Sequence, residues 1–151
     1  MEESLEDAKE EIKRVDHLFY VSLKYTRTVD MIRNMIGRLI STFDCCILSL
    51  LKYAQQKKKI KEIPPTPIPK CELLVKTYKD LNIKEYTDLY LLFRKLTRAP
   101  YTKREEYRRH VTMISKIGDE KIETDIDILK EYYDKLTEFL LLVQETIRSK
   151  K

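Results

Sequence analysis

The chain reads as a mainly α-helical protein, an up-down bundle of five or six helices with room for one small β-hairpin near residues 111–126. Three observations carry that reading. Apolar or small residues recur at positions 5, 8, 12, 15, 19, 22, 29, 32, 36, 39, 43, 46 and 50. Steps of three and four, broken by one gap of seven, are the spacing of an amphipathic helix. Only two Gly and five Pro occur in 151 residues, and four of the Pro fall between 64 and 69, so the elements must be long and few. Apolar residues make up 42% and charged residues 36%, which excludes gross disorder and suits one helical, highly charged domain over 1–151.

The elements follow in order. The first helix, about 3–25, opens with six acids and one Lys in residues 2–11, suited to the positive end of a helix dipole and unlike a signal peptide. Thr26, Thr28 and Val29 are its weakest helical stretch. A second helix, about 29–58, therefore starts there with Thr28 as N-cap. One continuous helix over 3–58 is the other reading. The second helix is expected to end in the basic KKKIKE. The connector 63–69, IPPTPIP, cannot be helical, and Pro69 opens a short helix over about 69–79. Residues 82–98 form another, with Ile83, Tyr86, Leu89, Tyr90, Phe93 and Leu96 on one face, and Pro100 ends it.

Thr102 and Glu105 fit a capping box, which predicts a helix from Lys103 to about His110. Beyond it, VTMISKIGDEKIETDI reads either as a continuation capped at Gly118 or as a hairpin turning at Gly118-Asp119; the hairpin is favoured. A final helix, about 127–148, places Ile128, Tyr132, Leu136, Phe139, Val143 and Ile147 on its core face.

Cys45, Cys46 and Cys71 show no CxxC or CxH spacing, so they read as buried thiols in a reducing cytoplasm, with no metal or other cofactor. The uncharged run Ile40–Leu51 is interrupted by Asp44 and is short for a membrane span. The apolar stripe of residues 5–50 offers a surface for a homodimer through the long N-terminal helices.

Charge is distributed unevenly. The segment RKLTRAPYTKREEYRRH, residues 94–110, holds seven Lys and Arg against two acids, for +5. The whole chain is also +5, so everything else sums to zero. Glycine-built nucleotide cradles are excluded, because no GxGxxG or GxxxxGK[ST] exists. Arg94, Lys95, Arg98, Lys103, Arg108 and Arg109 are candidates for a polyanion, and Tyr101 and Tyr107 for stacking on unpaired bases. A neutral imidazole at His110 can accept a proton near neutral pH, and Arg104 can hold a phosphoryl oxyanion. That set suits metal-independent RNA cleavage, with the ribose 2′-OH as nucleophile. The bland alternative pairs Glu105 and Glu106 with Arg109 and His110 on a solvated helix. His17, beside Asp16, reads as structural or surface.

REEYRRH, an Arg and a His with five residues between them ahead of a final long helix, resembles the Arg-x4–6-His signature and layout of the HEPN superfamily. The stretch YVSLKYTRTVDMIRN resembles archaeal proteins of unassigned activity. The HEPN resemblance implies a helical bundle, commonly dimeric, acting as a metal-independent RNase or as an inactive relative, with Arg104 and His110 as the catalytic pair. On a straight helix those two residues would stand about 9 Å apart along the axis and about 120° around it. A shared phosphate would then require a bend at His110 or a second subunit's pair. A non-catalytic protein-interaction module is the alternative function.

Overall fold

A computed structural model describes residues 2–24 and 27–148. Five α-helices and a three-stranded antiparallel sheet make up the described fold: α1 (Glu2–Lys24), α2 (Val29–Gln56), α3 (Pro67–Thr77), α4 (Lys84–Arg98), β1 (Tyr101–Arg104), β2 (Thr112–Ile117), β3 (Glu120–Asp125) and α5 (Ile126–Arg148). One 3₁₀ turn, Lys79–Leu81, precedes α4.

The long apolar pattern divides into two helices. Thr28 caps α2 as its sequence position predicts, its Oγ1 accepting a hydrogen bond from the Met31 N–H at 3.2 Å. Thr28→Ala is expected to cost about 1 kcal/mol of stability, read as a lower urea midpoint at unchanged m value. The helices run antiparallel: Lys52 near the end of α2 reaches Ser4, and Arg38 reaches Glu11. The stripe is consumed within the chain. Leu5, Ala8, Val15, Phe19, Val29, Ile32, Ile36, Leu39, Phe43, Cys46 and Leu50 are all buried, and α2 packs on α1, α3, α4 and α5. By length and composition α2 could cross a membrane, but just over half of its apolar window is buried inside the fold.

An aromatic cluster joins α2, α4 and α5. Phe43 is fully buried, with the rings of Phe93 and Phe139 each 5.7 Å away and Tyr90 at 5.9 Å. Tyr90 donates its hydroxyl proton to Asp44, an exposed residue of α2 at the edge of the cluster. Burial, followed by that hydrogen bond, pushes the Tyr90 phenol well above its ordinary range. Cys46 and Cys71 are buried free thiols, while Cys45 is half-buried. Desolvation pushes the Cys71 thiol up to about 11, which leaves it a poor nucleophile.

Several boundaries depart from the expected ones. The basic KKKIKE follows α2 rather than ending it: Gln56 is the last helical residue, Lys57 the C-cap, and Lys58 holds φ 61° just beyond. Pro67, not Pro69, opens α3, because both prolines fit the first turn, where no N–H is needed. Core-facing positions of α5 include Leu129 and Leu140 beside Leu136, Phe139, Val143 and Ile147, whereas Ile128 and Tyr132 are only half-buried.

The largest correction concerns the helix expected from Lys103 to His110. Residues 101–104 are instead strand β1, and 105–110 are a loop. KREEYRRH has no apolar stripe, so a helix there would gain nothing from packing. Pairing with β2 satisfies the backbone of Tyr101–Arg104 instead, in the register Tyr101↔Ser115 through Arg104↔Thr112. The favoured hairpin is present. Its strands β2 and β3 turn at Gly118-Asp119, with Gly118 at φ +61°, a left-handed value that glycine adopts without strain. The sheet order is β1-β2-β3. Met113, Ser115 and Thr124 are buried, while Thr102, Arg104, Lys116, Lys121 and Glu123 stay exposed.

Candidate nucleic-acid interface

The basic segment does not form one surface unit. Its first part lies on α4. There Arg94, Lys95 and Arg98 line a groove of about 270 Å³ with Pro67, Ile68 and Leu91. Arg94 also donates to the Tyr90 hydroxyl at 3.3 Å, so it belongs partly to the core network.

The second part is β1. The guanidinium of Arg33 covers the Tyr101 ring at 4.3 Å from its centroid and donates to the Thr97 carbonyl at 3.2 Å. That leaves Tyr101 half-buried beneath a cation and removes one face from stacking. Lys103 lies 3.6 Å from Glu106 and 3.9 Å from Asp30. Arg104 reaches diagonally over β2 to Glu123, Nη1 to Oε1 2.6 Å, with both side chains about half exposed (50% and 51%). An ion pair that exposed contributes no more than about 1 kcal/mol. Arg104, Lys116 and Lys121 flank a shallow groove of about 500 Å³ on the outer face of the sheet.

The third part, Glu105–His110, is the β1–β2 connection, and it is built with care. Glu105 and Tyr107 both hold left-handed backbone, φ 54° and 67°. Non-glycine residues pay roughly 1–2 kcal/mol for that conformation, so something must hold it. Tyr107 N–H donates to the Arg27 carbonyl at 2.6 Å. Glu106 turns its carboxylate onto the N-terminus of α2, where Oε2 accepts from Val29 N–H at 3.1 Å. That is a charge-assisted bond to an otherwise orphaned helix donor, aided by the helix dipole. Within the loop, Arg108 N–H bonds to the Glu105 carbonyl and Val111 N–H to the Arg108 carbonyl, both at 3.1 Å. Thr112 Oγ1 donates to the His110 carbonyl at 2.8 Å.

With its backbone so fixed, the loop presents Tyr107 at 79% exposure. Arg108, Arg109 and His110 beside it are also exposed. Glu106 is spent on Val29 and Lys103, so the pairing of Glu105 and Glu106 with Arg109 and His110 does not form. Among the described residues, no carboxylate lies within ion-pair distance of Arg108, Arg109 or His110. His17 is exposed on α1, far in sequence from this loop.

Arg104 and His110 bracket the connection. Arg104 pairs with Thr112 across the ladder, two residues from His110, so the chain reversal returns the two ends of REEYRRH to the same end of the sheet. The bend that a shared phosphate requires is therefore present in the backbone, although the Arg104 guanidinium is turned to Glu123. Arg27, Val29 and Arg33, which anchor the loop and cover Tyr101, carried no sequence signal for this role; only the Thr28 cap marked that the helix end was there. The chain matches no family model, no curated protein and no solved structure in the three comparisons made.

Proposed function

We propose that this protein, read as a helical bundle with a small sheet, binds single-stranded RNA through the loop 105–110. The supporting observation is the exposed Tyr107 ring on a pinned backbone, beside three exposed bases that lack a carboxylate. An aromatic face stacks on any unpaired base, and neighbouring guanidinium groups track the phosphates. A loop already ordered loses little further entropy on binding. Lys116, Lys121 and Arg104 on the outer sheet face extend the basic path away from the loop.

A second reading, HEPN-like endoribonuclease action by Arg104 and His110, is favoured by the chain reversal that returns their backbones to one end of the sheet. In that reading His110 takes the 2′-OH proton as the 2′ oxygen bonds to the adjacent phosphorus. The P–O5′ bond breaks to leave a 2′,3′-cyclic phosphate and a 5′ oxygen protonated by water, and Arg104 leaves Glu123 for the phosphate. The exposed pair costs at most about 1 kcal/mol to open, less than the roughly 1.5–3 kcal/mol of a hydrogen bond to a charged group. Homodimerisation, expected from the sequence, would need a surface other than the stripe of residues 5–50.

The test is one titration with two readouts. A fluorescein-labelled 12-nucleotide single-stranded RNA is followed by anisotropy across a salt series, and the same samples are run on a denaturing gel in excess EDTA. RNA binding predicts saturable retention that weakens steeply with salt. Nuclease action adds EDTA-resistant cleavage that His110→Ala abolishes. Absence of both would leave a protein-interaction module as the function.

A further inference from the structure

One concave surface is acidic although the chain as a whole is basic. Helices α4 and α5 run antiparallel, since Tyr86 stacks on Phe139 at 4.9 Å while Phe93 meets Tyr132 at 4.9 Å. Between them lies an open groove of about 580 Å³. Its floor is apolar: Tyr86, Leu89 and Leu92 from α4 and Tyr132 from α5, all half-buried. Burial pushes the Tyr86 and Tyr132 phenols above their ordinary range, so both rings enter as neutral apolar surface.

The rim is acidic. Glu85 and Asp88 border it on α4, and Glu131, Asp134 and Glu138 on α5, with Lys135 as the one cation in the lining. Five acids against one base give the lining −4; with the chain at +5, the remainder carries +9. Lys135 neutralises Glu85 and Glu138 in part, at 2.8 and 3.7 Å, and Lys84 lies 3.6 Å from Asp88. Glu131 and Asp134 have no cation within ion-pair distance among the described residues. Two unpaired carboxylates therefore stand on the α5 wall of an apolar trough.

We infer that this groove docks a cationic amphipathic helix of a partner protein. An apolar floor between two helical ridges is the geometry of helix-in-groove recognition. The lining positions 85, 88, 89 and 92 on α4, and 131, 134, 135 and 138 on α5, each cover about two turns, roughly 10 Å, so two turns of the occupant contact the floor. Apolar residues at i, i+3 or i+4, and i+7 of that helix fill the trough, and Lys or Arg flanking them meet Glu131 and Asp134. Charge also selects against the alternatives. A polyanion is repelled by the rim, whereas Lys and Arg flanking the apolar positions of a cationic helix are attracted to it.

The probe is a fluorescein-labelled 14-residue peptide of Leu and Lys arranged for helical amphipathicity, compared with a peptide of identical composition in scrambled order. Anisotropy is expected to give one-to-one binding at least tenfold tighter for the amphipathic order. The double substitution Glu131→Gln/Asp134→Asn breaks no ion pair within the chain and is expected to weaken it by tenfold or more. Asp119→Asn/Glu120→Gln removes the same charge at the exposed β2–β3 turn and is expected to leave it unchanged. Equal affinity for the scrambled order, or equal loss in the two double variants, would reduce the effect to bulk attraction and overturn the proposal. A concentration-dependent dimer of the protein alone, lost in Glu131→Gln/Asp134→Asn, would also overturn it, by giving the groove to a second copy. None of these outcomes depends on RNA binding at the loop.

Discussion

Phe43→Ala lowers the unfolding free energy by about 3–5 kcal/mol, the largest single-residue loss expected in this chain. Phe43 is fully buried at the point where α2, α4 and α5 meet, and three rings surround it within 6 Å. Truncation removes the transfer energy of the ring and leaves a cavity whose walls come from three different helices, so none can close it without disturbing the others. For a domain of this size, each kcal/mol is worth about 2–4 °C in Tm. Thermal unfolding followed by circular dichroism is therefore expected to fall by roughly 6–20 °C. Leu141→Ala is the control: at 54% exposure it is expected to stay within about 0.5 kcal/mol of the parent. A comparable loss at Leu141 would mean that the core has been placed on the wrong face of α5.

RNA affinity is expected to fall tenfold or more in Tyr107→Ala, and by a different route in Arg108→Ala/Arg109→Ala. Stacking of one base is worth about 1–3 kcal/mol by alanine substitution, and it carries no ionic component. Tyr107→Ala should therefore weaken binding while leaving the salt slope intact. The two arginines contact phosphates in this account. Their loss should reduce the slope of log K against log salt by about 0.7 for each phosphate released from a single strand. Neither variant should lower stability much, since all three side chains are exposed and the loop is held by backbone groups and Glu106. A fold-neutral loss that separates in this way distinguishes a stacking platform from a diffuse positive surface. Tyr101→Ala is a useful contrast, because that ring is already covered by Arg33.

The helical frame was legible in the sequence where local chemistry and packing agree. Thr28 was readable as a cap because its hydroxyl serves a donor three residues away. The stripe through Phe43 was readable because burial repeats with the helix period. Gly118 with Asp119 marked the turn of the hairpin for the same local reason: the turn needs a left-handed residue and contains one. Thr102 and Glu105 carry a local pattern that the fold overrides. Their spacing satisfies a capping box, but a cap stabilises only a helix that exists, and KREEYRRH has no face to bury. The competing partner, β2, lies on the far side of a loop and is set by tertiary pairing.

The candidate site divides in the same manner. Chain proximity placed ten residues between Arg94 and His110 together, and folding distributes them over a helix, a strand and a loop. Exposure of Tyr107 follows from neither charge nor period. It depends on Glu106 meeting Val29, 77 positions away in the chain, and no local pattern encodes such a contact. The acidic groove has no signature in the linear sequence, because Glu85, Asp88, Glu131, Asp134 and Glu138 read singly as solvated helix positions. Only the antiparallel placement of α4 and α5 gathers them around one floor.

The most direct measurement is a backbone chemical-shift map of the protein titrated with the 12-nucleotide single-stranded RNA. The account predicts the largest perturbations at Tyr107–His110, with smaller ones at Arg27 and Val29, where the loop is anchored, and along Lys116 and Lys121. Perturbations centred on α4 and α5, or none at concentrations where anisotropy detects RNA, would contradict it.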